Sequence, residues 1–312
     1  MRAFVFPGQG SQAVGMGAAL AEASRTAKDV FDEVDQALGQ NLFRLMRDGP
    51  EDELKLTENA QPAIMANSLA VFRALTRDGG VELTKAASFV AGHSLGEYSA
   101  LCAAGSFDLA TTAKLLKLRG QAMQAAVPVG LGAMAALLGA DLELAQKIAD
   151  AAAQGQVCTV ANDNDPSQVV ISGHKAAIDR AIEMAKDMGA KRAVPLPVSA
   201  PFHCPLMQPA ADAMRDALSY VVVEAPAVPL YANVTAQPET DPDTIRKQLV
   251  EQVTGMVRWR ESVSNMAAAG VDEFVELGGK VLGSMIKRIA PDAKVTSIVT
   301  INDIEALAKE IA

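Results

Sequence analysis

Hydrophobic and polar positions follow both helical and strand periods along this chain, which predicts a protein of mixed helices and strands. The chain opens with an apolar run from Arg2 to Phe6 that has the length of a buried strand. A second run, Ala86 to Ala91, comes before a segment rich in helix formers, Ser94 to Ala104, and a further helix fits Leu109 to Gln124. Such strand, turn and helix units are typical of an α/β protein with a mostly parallel sheet.

A different order of elements is predicted between Gly132 and Val198, namely the βαββαβ order of a ferredoxin-like subdomain. The predicted elements are Ala133 to Leu138, Asp141 to Ala153, Gln156 to Ala161, Gln168 to Ile171, Lys175 to Met188 and Ala193 to Val198, with a turn at Asn164-Asp165-Pro166. Strands then resume at Pro229 to Val234, Phe274 to Leu277 and Val295 to Val299, whereas Pro238 to Asp243 has the composition of an exposed acidic loop. The ferredoxin-like unit therefore looks inserted into a larger domain.

We accordingly expect a discontinuous α/β domain, residues 1–127 and 199–312, with a hydrolase-like, mostly parallel sheet flanked by helices. Residues 128–198 form the expected small subdomain. A chain of 312 residues is long enough for two such units. The cleft between them is the expected binding site.

Composition and charge narrow the possible partners. The formal net charge of −9 disfavours nucleic acid and anionic membranes. No apolar run approaches the roughly 20 residues of a membrane span, and the start of the chain lacks the apolar region of a signal peptide, so we expect a cytoplasmic protein. Three cysteines and three histidines support neither a disulfide framework nor a metal site. We expect reduced thiols, no metal, no cofactor and a monomer.

The segment Gly92-His93-Ser94-Leu95-Gly96 matches the pattern G-x-S-x-G between a predicted strand and a predicted helix. In that context the pattern indicates a nucleophilic serine on a sharp turn, because the flanking glycines let strand and helix close on it. The alternative is a glycine-softened structural turn. We take Ser94 as the candidate nucleophile.

A serine hydroxyl needs a general base, and the chain offers His93, His174 and His203. His93 adjoins the serine and is expected to pack beside the turn, and His174 opens a predicted helix in the small subdomain. His203 lies in a proline-bracketed loop where the chain re-enters the large domain, a suitable place for a rigidly aimed side chain. Spacing alone does not decide the choice.

Two backbone amides are candidates for holding a developing oxyanion. The amide of Leu95 lies at the start of the helix that follows the serine. The second candidate is the Gln9 loop, where Gly8 and Gly10 permit close approach of the backbone to a ligand. This loop could equally be a plain strand-to-helix turn.

Arg119 lies near the end of the helix predicted over Leu109 to Gln124. A charge there is commonly solvated, but the apolar face of the helix also allows partial burial. If it is buried near Ser94, its planar guanidinium can pair with a carboxylate through two hydrogen bonds.

At these residues the chain closely resembles the malonyl-CoA:acyl carrier protein transacylases, the loading enzymes of bacterial fatty acid synthesis. The resemblance runs nearly end to end. Its blocks are FVFPGQGSQ, AGHSLGEYSAL, LRGQAMQ, GAKRAVPLPVSAPFHC, Gln252 followed by VRW, and GKVL. The family's architecture, a hydrolase-like core with a ferredoxin-like insert, agrees with the one predicted above.

The resemblance implies a role for each matching residue. Ser94 resembles the family's acylated nucleophile and His203 its base, and Gln252 resembles the residue whose backbone carbonyl steadies the histidine. Gln9 and Leu95 resemble the positions whose amides form the oxyanion hole.

Substrate recognition is implied in the same way. Arg119 matches the arginine that holds the free carboxylate of the malonyl group. Phe202, before the histidine, resembles malonyl-selective members more than those accepting branched extender units. The segment Leu277-Gly278-Gly279-Lys280 departs from a Gly-Pro-Gly-Lys turn of many relatives, so its geometry is not predicted.

The resemblance implies transfer of malonyl from malonyl-CoA to acyl carrier protein by a ping-pong mechanism through a Ser94 ester. A polyketide-pathway acyltransferase, a serine thioesterase and a non-catalytic scaffold are the alternatives. Carrier proteins of this type are acidic, so docking requires a local basic surface, for which Lys191-Arg192 and Lys287-Arg288 are candidates.

Overall fold

The structure, a computed structural model, describes residues 1–311. In chain order its strands are β1 (Arg2–Phe6), β2 (Phe89–Gly92), β3 (Gly132–Leu138), β4 (Cys158–Asp165), β5 (Gln168–His174), β6 (Arg192–Pro195), β7 (Leu230–Tyr231), β8 (Pro238–Glu239), β9 (Glu273–Leu277) and β10 (Lys294–Ile298). They form two sheets. The larger has the order β10-β9-β1-β2-β7-β8 and the smaller the order β4-β5-β3-β6.

The helices surround the larger sheet and cover the smaller one. They are α1 (Ala18–Ala23), α2 (Arg25–Leu38), α3 (Leu42–Asp48), α4 (Glu51–Lys55), α5 (Thr57–Arg73), α6 (Leu83–Ala86), α7 (Gly96–Ala103), α8 (Leu109–Ala126), α9 (Leu142–Ala153), α10 (Lys175–Ala185), α11 (Gln208–Ser219), α12 (Pro242–Thr254), α13 (Trp259–Ala268), α14 (Leu282–Ile289) and α15 (Ile301–Ile311). A π-helical turn, Ala74–Asp78, extends α5, and a short 3-10 turn, Pro205–Met207, comes before α11.

The larger sheet is parallel except at one edge. β1 pairs with β2 and β9, β9 with β10, and β2 with β7, all in parallel, whereas β7 and β8 are antiparallel. The middle strand β1 is buried from Ala3 to Phe6, as its continuous apolar run predicts for a strand covered on both faces. The predicted α/β class with a mostly parallel sheet is confirmed.

The smaller sheet is antiparallel throughout and follows the predicted βαββαβ order. Its helices α9 and α10 pack on it through a separate apolar cluster that includes Ile148, Val169, Ile171 and Ile178. The ferredoxin-like unit is thus present, and its elements run from Gly132 at the start of β3 to Pro195 at the end of β6. A parallel bridge connects Asn162 of β4 to Val257, which lies between α12 and α13.

The predicted turn at Asn164-Asp165-Pro166 is correct at Pro166 but wrong at Asn164 and Asp165. β4 continues through Asp165, and the turn falls at Pro166 and Ser167. Asp165 is fully buried because Arg288 of α14 pairs with it at 2.8 Å, and it also accepts the Ser167 amide. A buried carboxylate requires such partners, and they come from distant sequence.

The predicted acidic loop at Pro238 to Asp243 is only partly a loop. Pro238 and Glu239 form the edge strand β8, and Pro242 begins α12. The side chain of Asp241 accepts a hydrogen bond from the Thr244 amide and so caps this helix.

The segment Leu277 to Lys280 has a defined turn. Gly278 has a φ of +85°, and a Cβ on it would lie 2.6 Å from the Ser68 Cα. Buried Glu276 then accepts hydrogen bonds from the Val281 and Leu282 amides at the start of α14. Glycine is required here both for its backbone and for space.

Helices α5 and α8 pack closely beside the sheet. A Cβ at Gly120 of α8 would lie 2.5 Å from the Glu58 Cα and 2.6 Å from the Thr57 carbonyl oxygen. This close approach brings the side chain of Arg119 under α5 and towards the carboxyl end of β2. Among residues 1–311, no helix combines the length and apolar character needed to cross a membrane.

Candidate active site

Ser94 lies on a strained turn between β2 and α7. Its φ is +52°, a left-handed conformation that residues with a Cβ seldom adopt. A Cβ at Gly92 would lie 1.9 Å from the Gly96 carbonyl carbon, and one at Gly96 would lie 2.3 Å from the Phe6 carbonyl oxygen. Both glycines of the pattern are therefore required by close backbone approach, and the predicted elbow is present.

The side-chain amide of Asn233 stabilises this turn through hydrogen bonds to its backbone. The Ser94 amide donates to Asn233 Oδ1 at 2.8 Å, and Asn233 Nδ2 donates to the Gly92 carbonyl at 2.7 Å. Asn233 was not identified from the sequence, since a lone asparagine after a short strand carries no signal of this contact. Because the Ser94 amide is already bonded, the next amide, that of Leu95, is the first one available to a ligand at the elbow.

The imidazole of His203 lies within hydrogen-bond distance of the Ser94 hydroxyl. Its Nε2 lies 2.8 Å from Ser94 Oγ, and its Nδ1 lies 2.8 Å from the Gln252 carbonyl oxygen. A carbonyl oxygen can only accept, so Nδ1 carries the proton and Nε2 presents its lone pair to the serine hydroxyl. A backbone carbonyl thus orients the imidazole in the place where many serine enzymes use a carboxylate.

Burial, followed by the positive charge of Arg119 as the second cause, lowers the pKa of His203 from 6.5 to about 3. The imidazole is therefore neutral at physiological pH and able to accept a proton. This is the protonation state that a general base requires.

The other two histidines have separate contacts. His93 Nε2 lies 2.8 Å from Asn164 Oδ1, and its ring meets Trp259 edge-on. Burial lowers the pKa of His93. His174 comes just before α10, where its Nδ1 accepts the Val157 amide at 2.9 Å. Neither ring has a recorded hydrogen bond to Ser94, so among the three histidines only His203 bonds to the serine.

Arg119 is buried, with 1% of its surface exposed, and points to the same serine. Its Nη2 donates to Ser94 Oγ at 3.1 Å and to Gln252 Oε1 at 2.8 Å, and its Nη1 donates to Gln61 Oε1 at 2.8 Å. The guanidinium also lies over the ring of Tyr98, 5.7 Å from its centroid. Arg119 therefore does not take the solvated position that is common for an arginine near a helix end.

One donor of this guanidinium has no partner. Among residues 1–311, the buried Nε–H of Arg119 makes no hydrogen bond. Nε and Nη2 share one edge of the guanidinium, the edge that binds a carboxylate through two hydrogen bonds. Burial lowers the pKa of Arg119, which nevertheless stays positively charged because guanidinium is so basic.

The Gln252 side chain is a second feature that the sequence did not identify. Its Nε2 donates to Glu97 Oε2 at 2.6 Å and to the Ser94 carbonyl at 2.9 Å. Burial raises the pKa of Glu97 to about 7. No local pattern signals these contacts, although Glu97 directly follows the glycine elbow.

The proposed oxyanion donors lie at the site. Gln9 lines the cavity beside Ser94, and its side chain accepts from the Thr57 hydroxyl at 3.1 Å. Leu95 is the residue directly before α7. Within residues 1–311 no hydrogen bond is recorded for the backbone amide of Gln9 or of Leu95, so both remain available as donors.

These side chains line one cavity of about 320 Å³ between the two sheets. Its lining residues are Gln9, Gly10, Gln12, Lys55, Gln61, His93, Ser94, Arg119, Met123, Met134, Asn162, Leu196, Pro197, Val198, Phe202 and His203. The cations among them are Lys55 and Arg119, and no carboxylate of the described residues lines the cavity. The cavity therefore suits an acyl group with a negative charge at its inner end.

The two basic pairs that are candidates for carrier docking differ in their contacts. Lys191 and Arg192 are exposed at β6, an edge strand of the smaller sheet. Lys287 instead donates to the Pro291 and Ala293 carbonyls, and Arg288 is engaged by Asp165. The second pair thus has structural contacts of its own. Among residues 1–311, no cluster of potential ligands could hold a metal ion.

Comparison with known proteins gives one consistent result. The model of the acyl transferase domain matches residues 3–286. The malonyl CoA-acyl carrier protein transacylase of Escherichia coli K12 is 49% identical over 288 residues, which are 92% of each chain. A crystal structure of acyl-carrier-protein-S-malonyltransferase from Bartonella henselae is 52% identical, covers 99% of both chains and has a TM-score of 0.97.

A third relative was solved with a partner. It is a malonyl-transacylase in complex with its type II PKS acyl-carrier protein, 41% identical to this chain, covering 99% of both, with a TM-score of 0.95. Shared identity over almost the whole length, together with the serine, histidine and arginine in one cavity, establishes the family. The chain belongs to the malonyl-CoA:acyl carrier protein transacylase family of acyltransferases.

Proposed function

We propose that this chain transfers a malonyl group from malonyl-CoA to the phosphopantetheine thiol of an acyl carrier protein, through an ester on Ser94. One observation carries the proposal: Ser94 Oγ lies between His203 Nε2 at 2.8 Å and Arg119 Nη2 at 3.1 Å in one cavity. The nucleophile, its base and a carboxylate-binding cation therefore meet at one atom.

Acylation begins with the Ser94 hydroxyl, whose proton passes to His203 Nε2 as Oγ attacks the malonyl thioester carbonyl. The carbonyl oxygen becomes an oxyanion, which the amides of Leu95 and Gln9 would hold. Collapse of the tetrahedral intermediate breaks the carbon–sulfur bond. The imidazolium of His203 returns the proton to the departing coenzyme A thiolate.

Deacylation repeats these steps in the opposite direction. The carrier's thiol gives its proton to His203 and attacks the ester carbonyl, and Ser94 leaves with the proton returned. The Gln252 carbonyl keeps the imidazole in one orientation in both half-reactions, at 2.8 Å from Nδ1. This double use of one base is the basis of the proposed ping-pong mechanism.

Selectivity for malonyl follows from Arg119. A malonyl carboxylate can take the unpartnered Nε–H and the Nη2 donor that bonds Ser94 Oγ in the free protein. Acetyl has no carboxylate and leaves the cation unpaired, a penalty of about 2 to 4 kcal/mol at a buried site. Water cannot substitute well for the carboxylate where the guanidinium is 1% exposed.

The carrier's class and its docking surface form a further part of the proposal. Lys191 and Arg192 are exposed and can meet an acidic carrier, and we propose them as its docking site. We assign the chain to fatty acid synthesis. A polyketide carrier stays the alternative, because one relative was solved with a type II PKS carrier. We also propose that the protein acts as a monomer in the cytoplasm, without cofactor.

The serine thioesterase is the competing function, and the fate of the acyl group separates the two. Malonyl-CoA carrying a labelled malonyl group is mixed with the protein and then with holo carrier protein or with buffer alone. We expect the label to move to the carrier in high yield and to be released as malonate only slowly in buffer. Rapid release in buffer would establish a thioesterase instead, and Ser94→Ala provides the inactive control.

A further inference from the structure

We propose that Glu97 is a positioning residue that sets the preference for malonyl over acetyl groups, by fixing the side-chain amide of Gln252 against Arg119. The inference rests on the proposed function and assigns a role to a residue that does not line the cavity. Glu97 lies one residue beyond the glycine elbow, in the first turn of α7.

The amide of Gln252 joins Arg119 to Glu97. Gln252 is fully buried, its Oε1 accepts from Arg119 Nη2 at 2.8 Å, and its Nε2 donates to Glu97 Oε2 at 2.6 Å. A guanidinium can only donate, so the atom facing it must be the amide oxygen. With its oxygen on Arg119, the amide faces Glu97 with its nitrogen, which donates to the carboxyl oxygen Oε2.

The bond to Glu97 is the shortest that Gln252 Nε2 makes. The other acceptors are the Ser94 carbonyl at 2.9 Å and Asn233 Oδ1 at 3.3 Å. When Glu97 is ionised, this bond is charge-assisted and about twice as strong as a hydrogen bond between neutral groups. Glu97 is therefore the main contact that holds the amide with its oxygen towards Arg119.

The orientation of the Arg119 guanidinium depends on the side-chain amide of Gln252. Its recorded acceptors are Gln61 Oε1 on Nη1, and Gln252 Oε1 and Ser94 Oγ on Nη2. If the amide turns away, Nη2 keeps only the serine hydroxyl, and the guanidinium edge that would take a malonyl carboxylate loses its fixed direction. Acetyl transfer does not use that edge, so the loss falls on malonyl.

Glu97 is not needed merely to fill space. It is 1% exposed, and burial of a carboxyl in this position raises its pKa to about 7, which shows that the site disfavours its charge. Its second contact, from the backbone N–H of Asn233, is long at 3.4 Å. An apolar side chain would pack here at lower cost if only the helix were at stake.

The experiment compares Glu97→Met, Glu97→Gln and the matched control Ser99→Ala, which alters a buried side chain of α7 that has no hydrogen-bond partner among residues 1–311. For each protein, kcat/KM is measured for transfer of malonyl and of acetyl to holo carrier protein. We expect Glu97→Met to lower the malonyl-to-acetyl ratio on the order of tenfold, the effect of one charge-assisted hydrogen bond. Glu97→Gln, which keeps an acceptor, should retain most of the ratio, and Ser99→Ala should leave it unchanged.

Equal loss of malonyl and acetyl transfer in Glu97→Met would overturn the inference, because a merely structural role weakens both reactions together. An unchanged ratio would overturn it as well. If Glu97→Met does not fold, Glu97→Asp tests the same contact, since it keeps the charge and withdraws the oxygen from Gln252. An unchanged ratio in that variant counts against the inference. A wild-type protein that fails to malonylate Ser94 would instead refute the proposed function.

Discussion

Ser94 and His203 are 109 positions apart in the chain, yet their reacting atoms lie 2.8 Å apart, and both residues have left-handed backbones. Their φ angles are +52° and +54°. Such conformations each cost about 1 to 3 kcal/mol and persist only where surrounding contacts enforce them. Asn233 supplies those contacts at Ser94, and the Gln252 carbonyl orients the His203 ring. Both residues proposed to react therefore have this uncommon backbone, which among the other non-glycine residues of 1–311 only Gln154 and Ala236 share.

Replacing Arg119 with Ala should remove the preference for malonyl. The variant loses a buried guanidinium whose Nε–H is unpartnered in the free protein, so malonyl transfer should fall about a hundredfold and acetyl transfer far less. The measurement is kcat/KM for both acyl-CoA substrates. Lys114→Ala, an exposed position on the same helix, is the matched control. An unchanged preference in the Arg119 variant would remove this residue from the account.

The pH dependence of acylation should reflect the lowered pKa of His203. Burial, assisted by the charge of Arg119, brings this pKa from 6.5 to about 3. The neutral imidazole is the active form, so the rate of single-turnover Ser94 malonylation should not fall as the pH drops through 6.5. In Arg119→Gln one cause of the shift is removed, and the acid limb should move to higher pH.

The free energy of unfolding should also depend on the protonation of His203. Because His203 binds its proton less tightly in the folded protein, it contributes stability that is fully present above 6.5 and is lost as the pH falls towards 3. Urea unfolding of the wild type and His203→Gln across this range measures the contribution.

For the acylation rate of the wild type, an acid limb centred at or above pH 6.5 would refute the neutral state assigned to His203 at physiological pH.

Gly96→Ala should disrupt the elbow. The added Cβ would lie 2.3 Å from the Phe6 carbonyl oxygen and 2.8 Å from that of Pro7, both rigid backbone atoms of the central strand and its exit. We expect a loss of about 3 kcal/mol in the free energy of unfolding. Gly105→Ala is a useful comparison, since its φ is +86° but its Cβ would meet no atom within 4 Å. A cost for Gly96→Ala no larger than that of Gly105→Ala would contradict the packing described.

Local patterns predicted much of this fold, and distant contacts explain what they missed. The glycines around Ser94 indicate the elbow because the constraints on that turn are local. The hydrophobic period and the length of each segment likewise predicted β1 and the order of elements in the small subdomain. The burial of Arg119 depends on Gly120 letting α8 approach α5, which no pattern within α8 displays. Its role was anticipated only through the family resemblance.

The same reasoning explains why the turn was predicted to begin two residues too early, at Asn164. Asparagine, aspartate and proline favour turns locally. Here Asp163 and Asp165 are buried in β4 because Arg260 and Arg288, from helices about a hundred residues later, pair with them at 2.8 Å. Glu97 and Asn233 escaped notice for a similar reason, since their partners lie on other elements.

Charge reversal at the proposed docking site should weaken transfer to the carrier but not loading from coenzyme A. In Lys191→Glu/Arg192→Glu, the KM for an acidic carrier should rise about tenfold at low salt, and the difference from wild type should shrink as salt screens the charges. The rate of Ser94 malonylation in the absence of carrier serves as the internal control. An unchanged salt dependence of transfer would exclude these two residues as the docking site.

Direct mapping of the covalent intermediate tests the central claim, that Ser94 carries the malonyl group. The protein is quenched in acid after a brief exposure to malonyl-CoA, digested, and sequenced by tandem mass spectrometry. The account predicts one malonyl group per chain, attached to Ser94, which disappears when holo carrier protein is added before the quench. A malonyl group found on another residue, or a fully active protein with Ser94 unmodified throughout turnover, would contradict it.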